Sequence, residues 1–328
     1  MNNKFSIIMA TYNNSELIDK AINSVINQSY KNWELVIIDD GSTDNTKIKV
    51  QKYQKDKRIK YVYQKNKGVS ISRNKGMNLS SGDYITFLDS DDWYDKDFLY
   101  EINLNICSFS SDIIITNIRY VFDGGSHINK KVSDYEITDI NKNLLIDSTI
   151  DFDYALKKYG INFGNCRCIG GKFYKKEILE KIKFPIELYT FEDGIFNLEV
   201  YKKSNHISIR GYSGYNYYQN NTSSTHTYKK DTYQQYKMII KYIESIFKNN
   251  NEKLLVIKNC EFNMYTYLIN LSVYYKDYNM FLEYTNYYKK RIQGVKYLKI
   301  KNTLIYILLK LGLYRLIYWI YNLKRLVK

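Results

Sequence analysis

Four aspartates follow two hydrophobic segments within the first hundred residues of the chain. Asp39 and Asp40 come directly after the apolar residues 35–38, and Asp89 and, two residues later, Asp91 follow a second hydrophobic segment. Hard divalent cations such as Mg²⁺ and Mn²⁺ take oxygen ligands and usually keep waters and substrate phosphates in their coordination shell. In an extended or tightly turned backbone, Asp89 and Asp91 can point the same way and bind such a cation. The alternative is that this Asp-Ser-Asp-Asp segment is a polar loop that caps the next helix.

Two periodicities alternate through the same hundred residues. Continuous apolar runs predict strands buried on both faces, and apolar residues at helical spacing predict helices between them. This alternation indicates an α/β fold with a mostly parallel, doubly wound sheet. Ligands of such sheets bind beyond the carboxyl ends of the strands, which is where the four aspartates fall. The predicted strands cover residues 5–10, 34–38, 59–63 and 84–88, and the predicted helices cover 15–28, a stretch from about 45, and 68–79.

The rest of the chain changes character twice. Residues 112–117 predict a further strand, residues 120–170 are less regular and are interpreted as a mixed insertion, and residues 192–203 predict a helix. From residue 228 onward the pattern is helical. A boundary near residues 221–228 therefore separates an α/β body from an α-helical C-terminal region.

Four segments of the N-terminal part form an ordered set of motifs. They are Ile7–Asn13, Ile37–Asp44, Gly68–Gly76 and Phe87–Asp92. In this order and spacing they closely resemble the N-terminal half of family-2 glycosyltransferases of the GT-A fold, of the kind that builds bacterial surface polysaccharides. The resemblance is strong over residues 5–100 and continues weakly to about residue 225.

This resemblance implies a division of the chain into two parts. Residues 1–225 would form a GT-A (Rossmann-like) domain with a mostly parallel sheet flanked by helices. Its nucleotide-binding half would cover about residues 1–117 and its acceptor half about residues 118–225. Residues 226–328 would form an α-helical C-terminal region, which lies outside the resemblance.

The resemblance also implies which residues bind the nucleotide of the donor. Tyr12 would stack on the base, with the backbone of Thr11 beside it. Asp40 would accept a hydrogen bond from the base, uracil N3 by preference, with Asp39 as support. Arg73 would face the nucleotide or its phosphates, because a planar fork of donors suits bidentate contacts. The alternatives are that Tyr12 is a core aromatic, Asp39 a turn residue and Arg73 a charge on a helix surface.

The metal ligands and the catalytic base follow from the same resemblance. Asp89 would lie near the ribose and the Mn²⁺ or Mg²⁺ ion, which Asp91 would bind directly. Asp193 would be the base that takes the acceptor's hydroxyl proton in a single inverting displacement, although acids also stabilise a helix N-terminus. His226, in a loop that closes on the donor diphosphate, would be a late metal or phosphate contact or else a surface histidine. The segment Gly170–Lys175 resembles one that lines the acceptor side.

Much of the positive charge of the chain is concentrated at its C-terminus. The sequence has 49 Lys and Arg against 34 Asp and Glu, a formal net charge of +15. No acid follows Glu283, whereas eleven of the basic residues do. Placed on a helix, residues 296–328 gather most of their charges around Lys310, with apolar residues opposite. We expect this segment to lie on anionic lipids. The alternative is a helix packed on its own body or on a partner subunit, which leaves a homo-oligomer open.

Two other classes of protein share some of these features. A nucleotidyltransferase acting on sugar phosphates also uses a metal, paired carboxylates and an α/β sheet, but its first loop is typically Gly-rich and basic, unlike Thr11–Asn14. A nucleic-acid-binding protein would need a basic face on its body, which the nearly neutral residues before the tail do not favour. We therefore expect a nucleotide-sugar donor, a glycan or lipid-linked acceptor, and no nucleic acid partner.

The two ends of the chain suggest a location. Residues 1–5 lack the apolar core of a signal peptide, and the four cysteines form no CxxC pair. Together with the basic C-terminal segment, these features predict a cytoplasmic protein that is peripheral on the inner face of the cell membrane.

Overall fold

The fold described below is that of a computed structural model of the chain. Two compact units are formed by residues 1–145 with 162–227, and by residues 146–161 with 228–328. The structure describes residues 2–128, 132–219, 231–248, 250–275, 277–289, 307–308, 310–313 and 315–320.

The first unit is built on a mixed sheet. Its strands in the described residues are β1 (Phe5–Thr11), β2 (Trp33–Asp39), β3 (Ile59–Tyr63), β4 (Tyr84–Phe87), β5 (Trp93–Tyr94), β6 (Ile113–Phe122), β7 (Gly125–Ile128), β8 (Tyr135–Ile137), β9 (Lys172–Lys175) and β10 (Ile207–Tyr218). The strand order is β3-β2-β1-β4-β9-β6-β10-β5, with β7 beside β6 and β8 beside β10.

The first four strands are parallel to one another. β1 pairs with β2 and with β4, and β2 pairs with β3. All seven residues of β2 are buried, as expected of a strand covered on both faces. β9 then inserts antiparallel between β4 and β6, and β6 runs parallel to β10. The predicted α/β class with a parallel sheet and flanking helices is confirmed, and antiparallel strands are added to it.

Helices connect these strands and form the C-terminal region, as the sequence predicts. The described helices are α1 (Ile18–Ile26), α2 (Thr46–Gln51), α3 (Val69–Leu79), α4 (Phe98–Phe109), α5 (Lys142–Ile150), α6 (Phe152–Tyr159), α7 (Glu192–Lys203), α8 (Thr232–Ile246), α9 (Leu254–Tyr274) and α10 (Tyr278–Lys289).

Helices α1, α3 and α4 pack against the parallel strands. The apolar faces of α1 and α4 share one core with alternate residues of β1 and β2. Helix α3 approaches β1 so closely that a β-carbon at Gly76 would overlap the Ile8 side chain. Glycine at this position therefore allows α3, and the functional residues it carries, to lie directly on the central strand.

The second unit has an aromatic core of its own. Tyr233, Phe262 and Tyr265 pack with residues of α10 and with the buried Leu308 and Ile317. A buried ion pair of 2.6 Å joins Lys253 to Asp147 in the same unit. Within the described ranges, no helix has the length and the apolar character needed to cross a membrane. Most of residues 296–328, and with them most of the predicted basic segment, lie outside those ranges.

Candidate active site

The ends of β1 and β2 are joined through Asp39 and Asp40. The Asp40 backbone N–H donates to the Thr11 carbonyl at 2.8 Å. The fully buried Asp39 carboxylate accepts the Ser42 backbone N–H at 2.8 Å and the Tyr61 hydroxyl at 2.6 Å. Asp39 thus holds the turn after β2 against β3.

Asp40 fixes the segment that leads into helix α3. One carboxylate oxygen accepts the Lys67 backbone N–H at 2.9 Å and the Gln64 side-chain amide at 2.8 Å, and the other accepts the Gly68 backbone N–H at 2.7 Å. Gly68 has a φ of +95°, a conformation that glycine adopts without strain. A carboxylate has about four acceptor positions, so Asp40 keeps capacity for one more donor.

Thr11 and Tyr12 present two different groups at the end of β1. The Tyr12 side chain is exposed, with 52% of the residue surface accessible, so its ring face is free to stack on a flat ligand. The Thr11 hydroxyl is buried and has no hydrogen-bond partner among the described residues. Because a buried polar atom normally has a partner, this hydroxyl is a candidate contact for a ligand.

Arg73, on α3, gathers three acids from two distant parts of the chain. One guanidinium nitrogen donates to Asp193 Oδ1 at 2.8 Å and to Glu192 Oε1 at 3.2 Å, and the other donates to Asp89 Oδ1 at 3.1 Å. The Arg73 side chain is only 7% exposed, so these ion pairs are screened little by solvent. The structure thus brings Arg73, Asp89 and Asp193 together as one cluster. Glu192 joins them, a partner that its place beside Asp193 could have indicated.

Burial and charge shift the proton affinities of this cluster. Burial raises the pKa of Asp193, Arg73 opposes the rise, and Glu192 and Asp89 add to it, giving a pKa of about 7. Burial lowers the pKa of Arg73, but the three acids outweigh it and the net shift is upward. Arg73 therefore stays charged, while Asp193 is poised to exchange a proton near neutral pH.

Asp89 and Asp91 offer carboxylate oxygens beside this cluster. The Asp89 side chain is 39% exposed. Burial and the neighbouring Asp89 charge raise the pKa of Asp91 to about 6, and its own backbone N–H partly offsets the rise. No other described residue donates to the Asp91 carboxylate. The partly exposed Asp89, which also pairs with Arg73, and Asp91, to which no described residue pairs a positive charge, suit a divalent cation that takes its remaining ligands from water and phosphate.

The described residues contain no group of three or more His, Cys, Asp and Glu side chains arranged to bind a metal unaided. His226, the predicted additional contact, lies outside the described residues. A Mg²⁺ site typically needs only one or two carboxylates when a substrate diphosphate is present. The donor set of Asp89 and Asp91 meets that requirement.

Helix α7 begins with a strained residue. Phe191, directly before Glu192, has a φ of +61°, which costs a bulky residue about 1–3 kcal/mol. A β-carbon at Gly194 would lie 2.7 Å from the Phe191 ring, so glycine leaves the space that this ring occupies. The Arg167 guanidinium lies 5.2 Å from the centre of the same ring. This packing fixes the backbone that directs the two acids toward Arg73.

Further residues near the acids have contacts that local motifs do not reveal. The buried Asp92 accepts hydrogen bonds from the Tyr215 hydroxyl at 2.5 Å and from the Tyr218 backbone N–H at 2.9 Å. These bonds connect β10 to the segment Asp89–Asp92. Lys172, in the segment that resembles one lining the acceptor side, is fully buried. These contacts depend on pairing between distant strands, whereas the motifs of residues 87–92 and 170–175 indicate only that Asp92 and Lys172 belong to functional segments.

The fold is shared with solved glycosyltransferase structures. The structure of Staphylococcus aureus TarS residues 1–349 in complex with UDP-GlcNAc superposes with a TM-score of 0.69 at 24% identity, covering 89% of this chain and 82% of that one. The UDP complex of the same fragment gives a TM-score of 0.71 at 22% identity, covering 99% and 92%. The predicted GT-A fold is confirmed by this likeness.

Sequence comparison defines the family. The profile described as "Glycosyl transferase family 2" matches residues 6–183. Glycosyltransferase GlyA of Streptococcus pneumoniae is 32% identical to this chain. The matched region covers 66% of this chain but only 31% of GlyA. The poly(ribitol-phosphate) beta-N-acetylglucosaminyltransferase TarP of Staphylococcus aureus is 33% identical over 76% of each chain. The chain belongs to glycosyl transferase family 2.

Proposed function

We propose that this protein transfers a sugar from a UDP-linked donor to a hydroxyl group of a glycan or lipid-linked acceptor in the synthesis of a cell-surface polysaccharide. The observation that carries the proposal is the cluster in which Arg73 joins Asp89, Glu192 and Asp193 beyond the carboxyl ends of the parallel strands. The named activity of TarP and the UDP-GlcNAc complex of TarS support a nucleotide-sugar donor.

The donor would lie along the ends of β1, β2 and β4. The exposed Tyr12 ring would stack on the base, and the remaining acceptor position of Asp40 would take its N–H. The unpartnered Thr11 hydroxyl supplies a further contact. Asp89 and Asp91 would hold a Mn²⁺ or Mg²⁺ ion. That ion, when bound, neutralises charge on the leaving diphosphate.

Asp193 would serve as the general base. The acceptor hydroxyl loses its proton to the Asp193 carboxylate while its oxygen attacks the anomeric carbon. The bond from that carbon to the diphosphate oxygen breaks on the opposite face. The electron pair of this bond leaves with UDP, so a single displacement inverts the anomeric configuration. Arg73 keeps the carboxylate ionised and oriented, because it is charged and nearly buried.

The exchange of Asp193 for Asn tests this proposal. An amide still accepts a hydrogen bond from Arg73 but does not take a proton, so we expect UDP binding to persist and sugar transfer to fall by about 10²- to 10⁴-fold. The measurements are UDP release from UDP-GlcNAc and from other UDP-sugars with Mn²⁺, and UDP titration by calorimetry. Glu199→Gln, on the same helix and only partly exposed, is the matched control. Near-full turnover by Asp193→Asn would refute the assignment of the base.

The basic C-terminal segment suggests where in the cell the enzyme encounters its acceptor. We propose that residues 296–328 bind an anionic membrane surface and keep the enzyme beside a lipid-linked acceptor on the inner face of the cell membrane. Lys and Arg near such a surface each contribute about 1 kcal/mol of attraction. The acid-free, basic composition after Glu283 supports this proposal.

A further inference from the structure

The turn that carries Asp89 and Asp91 also contains two residues that have no part in the reaction described above. The Asp92 backbone N–H donates to the Asp89 carbonyl at 3.0 Å and closes the segment Asp89–Asp92 into this turn. Ser90 and Asp92 are buried, whereas Asp89 and Asp91 are partly exposed. Alternate side chains of the turn are therefore accessible to a ligand, and the other two can hold its backbone in place.

Two separate parts of the fold bind these buried side chains. The Asn14 side-chain amide, in the loop after β1, donates to the Ser90 hydroxyl at 2.8 Å. Asp92 accepts the Tyr215 hydroxyl at 2.5 Å and the Tyr218 backbone N–H at 2.9 Å, both from β10. A buried carboxylate is costly unless its oxygens are hydrogen-bonded, so both Asp92 contacts stabilise the turn.

The Tyr215 hydroxyl contacts the turn at both of its ends. It donates to the Asp92 carboxylate and accepts the Asp89 backbone N–H at 3.4 Å, a long hydrogen bond. The Tyr215 residue is 1% exposed, and its ring centre lies 5.7 Å from that of Tyr94 in an edge-to-face contact. Because close packing fixes the ring, the hydroxyl is a fixed point that sets the two ends of the turn.

Gly170 provides the space that this hydroxyl occupies. A β-carbon at residue 170 would lie 2.7 Å from Tyr215 Cζ and 2.9 Å from the Tyr215 hydroxyl oxygen. Gly170 is not among the glycines with a positive φ, so glycine is needed there for space rather than for backbone conformation. This contact gives a physical reason for the glycine at the start of the segment 170–175.

We propose that Tyr215 is a positioning residue for the cation site: it holds Asp92 and the Asp89 backbone so that the Asp89 and Asp91 carboxylates keep the separation that a divalent ion requires. Groups that orient metal ligands through hydrogen bonds typically contribute about 10- to 100-fold to metal affinity. The inference rests on the proposed function, in which Asp89 and Asp91 bind Mn²⁺ or Mg²⁺ together with the donor diphosphate.

The exchange of Tyr215 for Phe removes the hydroxyl and keeps the ring. Both hydrogen bonds to the turn are lost, so we expect the affinity for Mn²⁺ in the presence of saturating UDP to fall by about 10- to 100-fold. Electron paramagnetic resonance measures this affinity in a Mn²⁺ titration of the chain and needs no acceptor. In assays of UDP release from UDP-GlcNAc, the Mn²⁺ concentration that gives half-maximal rate should rise, and saturating Mn²⁺ should restore kcat.

Tyr84→Phe is the matched control, because the buried Tyr84 hydroxyl donates to the Ser111 carbonyl at 2.8 Å and Tyr84 lies at the start of β4, away from the turn. This variant also loses a buried hydrogen bond, so it should be less stable than wild type and yet bind Mn²⁺ equally well. Unchanged Mn²⁺ affinity in Tyr215→Phe would overturn the proposal. A loss of kcat that saturating Mn²⁺ does not restore, or an equal loss of Mn²⁺ affinity in Tyr84→Phe, would show a structural role only and overturn it as well.

Gly170→Ala tests the same contact without altering Tyr215, and it decides the question if Tyr215→Phe does not fold. The added methyl group overlaps the end of the Tyr215 ring, so the hydroxyl must move. We expect the affinity for Mn²⁺ with UDP to fall by about 10-fold, and the affinity for UDP in EDTA to stay unchanged in calorimetry. Wild-type Mn²⁺ affinity in this variant would contradict the proposed role of the hydroxyl.

The two proposals fail in different ways. If wild type releases no UDP from any UDP-sugar, or binds no Mn²⁺ in the presence of UDP, the proposed function or its cation site is wrong whatever Tyr215 does. If wild type does both and the Tyr215→Phe and Gly170→Ala variants keep the wild-type affinity for Mn²⁺, only the inference about Tyr215 is wrong.

Discussion

Arg73 shows how one side chain can organise a site whose parts are far apart in sequence. Its partners Asp89 and Asp193 lie 16 and 120 residues away along the chain. A planar guanidinium presents several donors in fixed directions, so it can hold acids that would otherwise repel one another. The Phe184 ring, 5.5 Å from the guanidinium carbon, adds an apolar neighbour to the same charge.

Replacement of Arg73 by Lys tests that geometry. A single ammonium keeps the charge but cannot bond Asp89, Glu192 and Asp193 in the same directions, so the acids shift relative to the donor. We expect kcat/KM for UDP-GlcNAc to fall by about 100-fold, the usual cost of misplacing a catalytic group by about an ångström. Arg58→Lys is the matched control, because Arg58 pairs with Asp56 before the amino end of β3. Wild-type kcat/KM in Arg73→Lys would show that the three-acid geometry is dispensable.

Glu34 connects several strands of the sheet, as Arg73 connects several acids of the site. Its nearly buried carboxylate accepts hydrogen bonds from Ser6 on β1 at 2.6 Å, from Lys60 on β3 at 2.7 Å, and from the Ser81 backbone N–H before β4 at 2.5 Å. One side chain of β2 thus joins all four parallel strands. Burial raises the pKa of Glu34, but these donors outweigh it and lower the pKa to about 2.

The lowered pKa makes the parallel sheet sensitive to acid. Glu34 has an ordinary pKa of 4.5 and a folded pKa of about 2. Its contribution to the free energy of unfolding is therefore complete above about pH 4.5 and is lost as the pH falls toward 2. We expect Glu34→Gln to lower the free energy of unfolding at pH 7 by about 1–3 kcal/mol. The variant and wild type should converge in acid.

Urea unfolding of both proteins across this pH range measures the effect. The exposed Glu180→Gln is the control and should leave the free energy of unfolding unchanged. A wild-type to Glu34→Gln difference that stays constant down to pH 2 would contradict the proposed linkage.

The elements that the sequence predicts well are those determined by local patterns. Residues 59–63 and 192–203 form the predicted strand and helix with the same bounds, because apolar runs and helical spacing are local signals. The antiparallel insertion of β9 between β4 and β6 was not predicted, since Ile85 pairs with Tyr174 across 89 residues. The burial of Lys172 was not predicted either, because lysine is seldom buried unless a distant partner compensates it.

The site residues show the same difference between local patterns, which the sequence reveals, and distant contacts, which it does not. Motif order placed Asp89, Arg73 and Asp193 in one enzyme, but their ion pairs depend on how α3 and α7 meet. Local motifs did not reveal that Asp40 accepts three hydrogen bonds from the segment before α3. The sequence therefore identified the members of the cluster, whereas the contacts of each group depended on the fold.

At the scale of the whole molecule, residues 146–161 belong with the C-terminal helices although they lie within the insertion of the sequence. Asp151 at the start of α6 accepts the Asn263 side-chain amide at 2.7 Å, a contact between this stretch and α9. Leu308 and Ile317 are buried in the aromatic core of the same unit. Part of the basic tail is thus structural, so deleting residues 296–328 would damage the core as well as remove charge.

Neutralising the tail charges in the chain tests membrane binding while Leu308 and Ile317 are kept. The variant replaces five basic residues by Gln: Lys296, Lys299, Lys324, Arg325 and Lys328. Since each charge near an anionic surface contributes about 1 kcal/mol, we expect binding to phosphatidylglycerol-containing vesicles to weaken by at least about 100-fold. Flotation with these vesicles and with pure phosphatidylcholine measures this binding, and added salt should reproduce the loss.

The control exchanges five exposed lysines of the first unit for Gln: Lys52, Lys55, Lys57, Lys65 and Lys96. Equal losses in the two variants would show that binding depends on the total charge of the protein. Unchanged flotation of the tail variant would show that the tail does not bind the membrane, and would refute that part of the proposal.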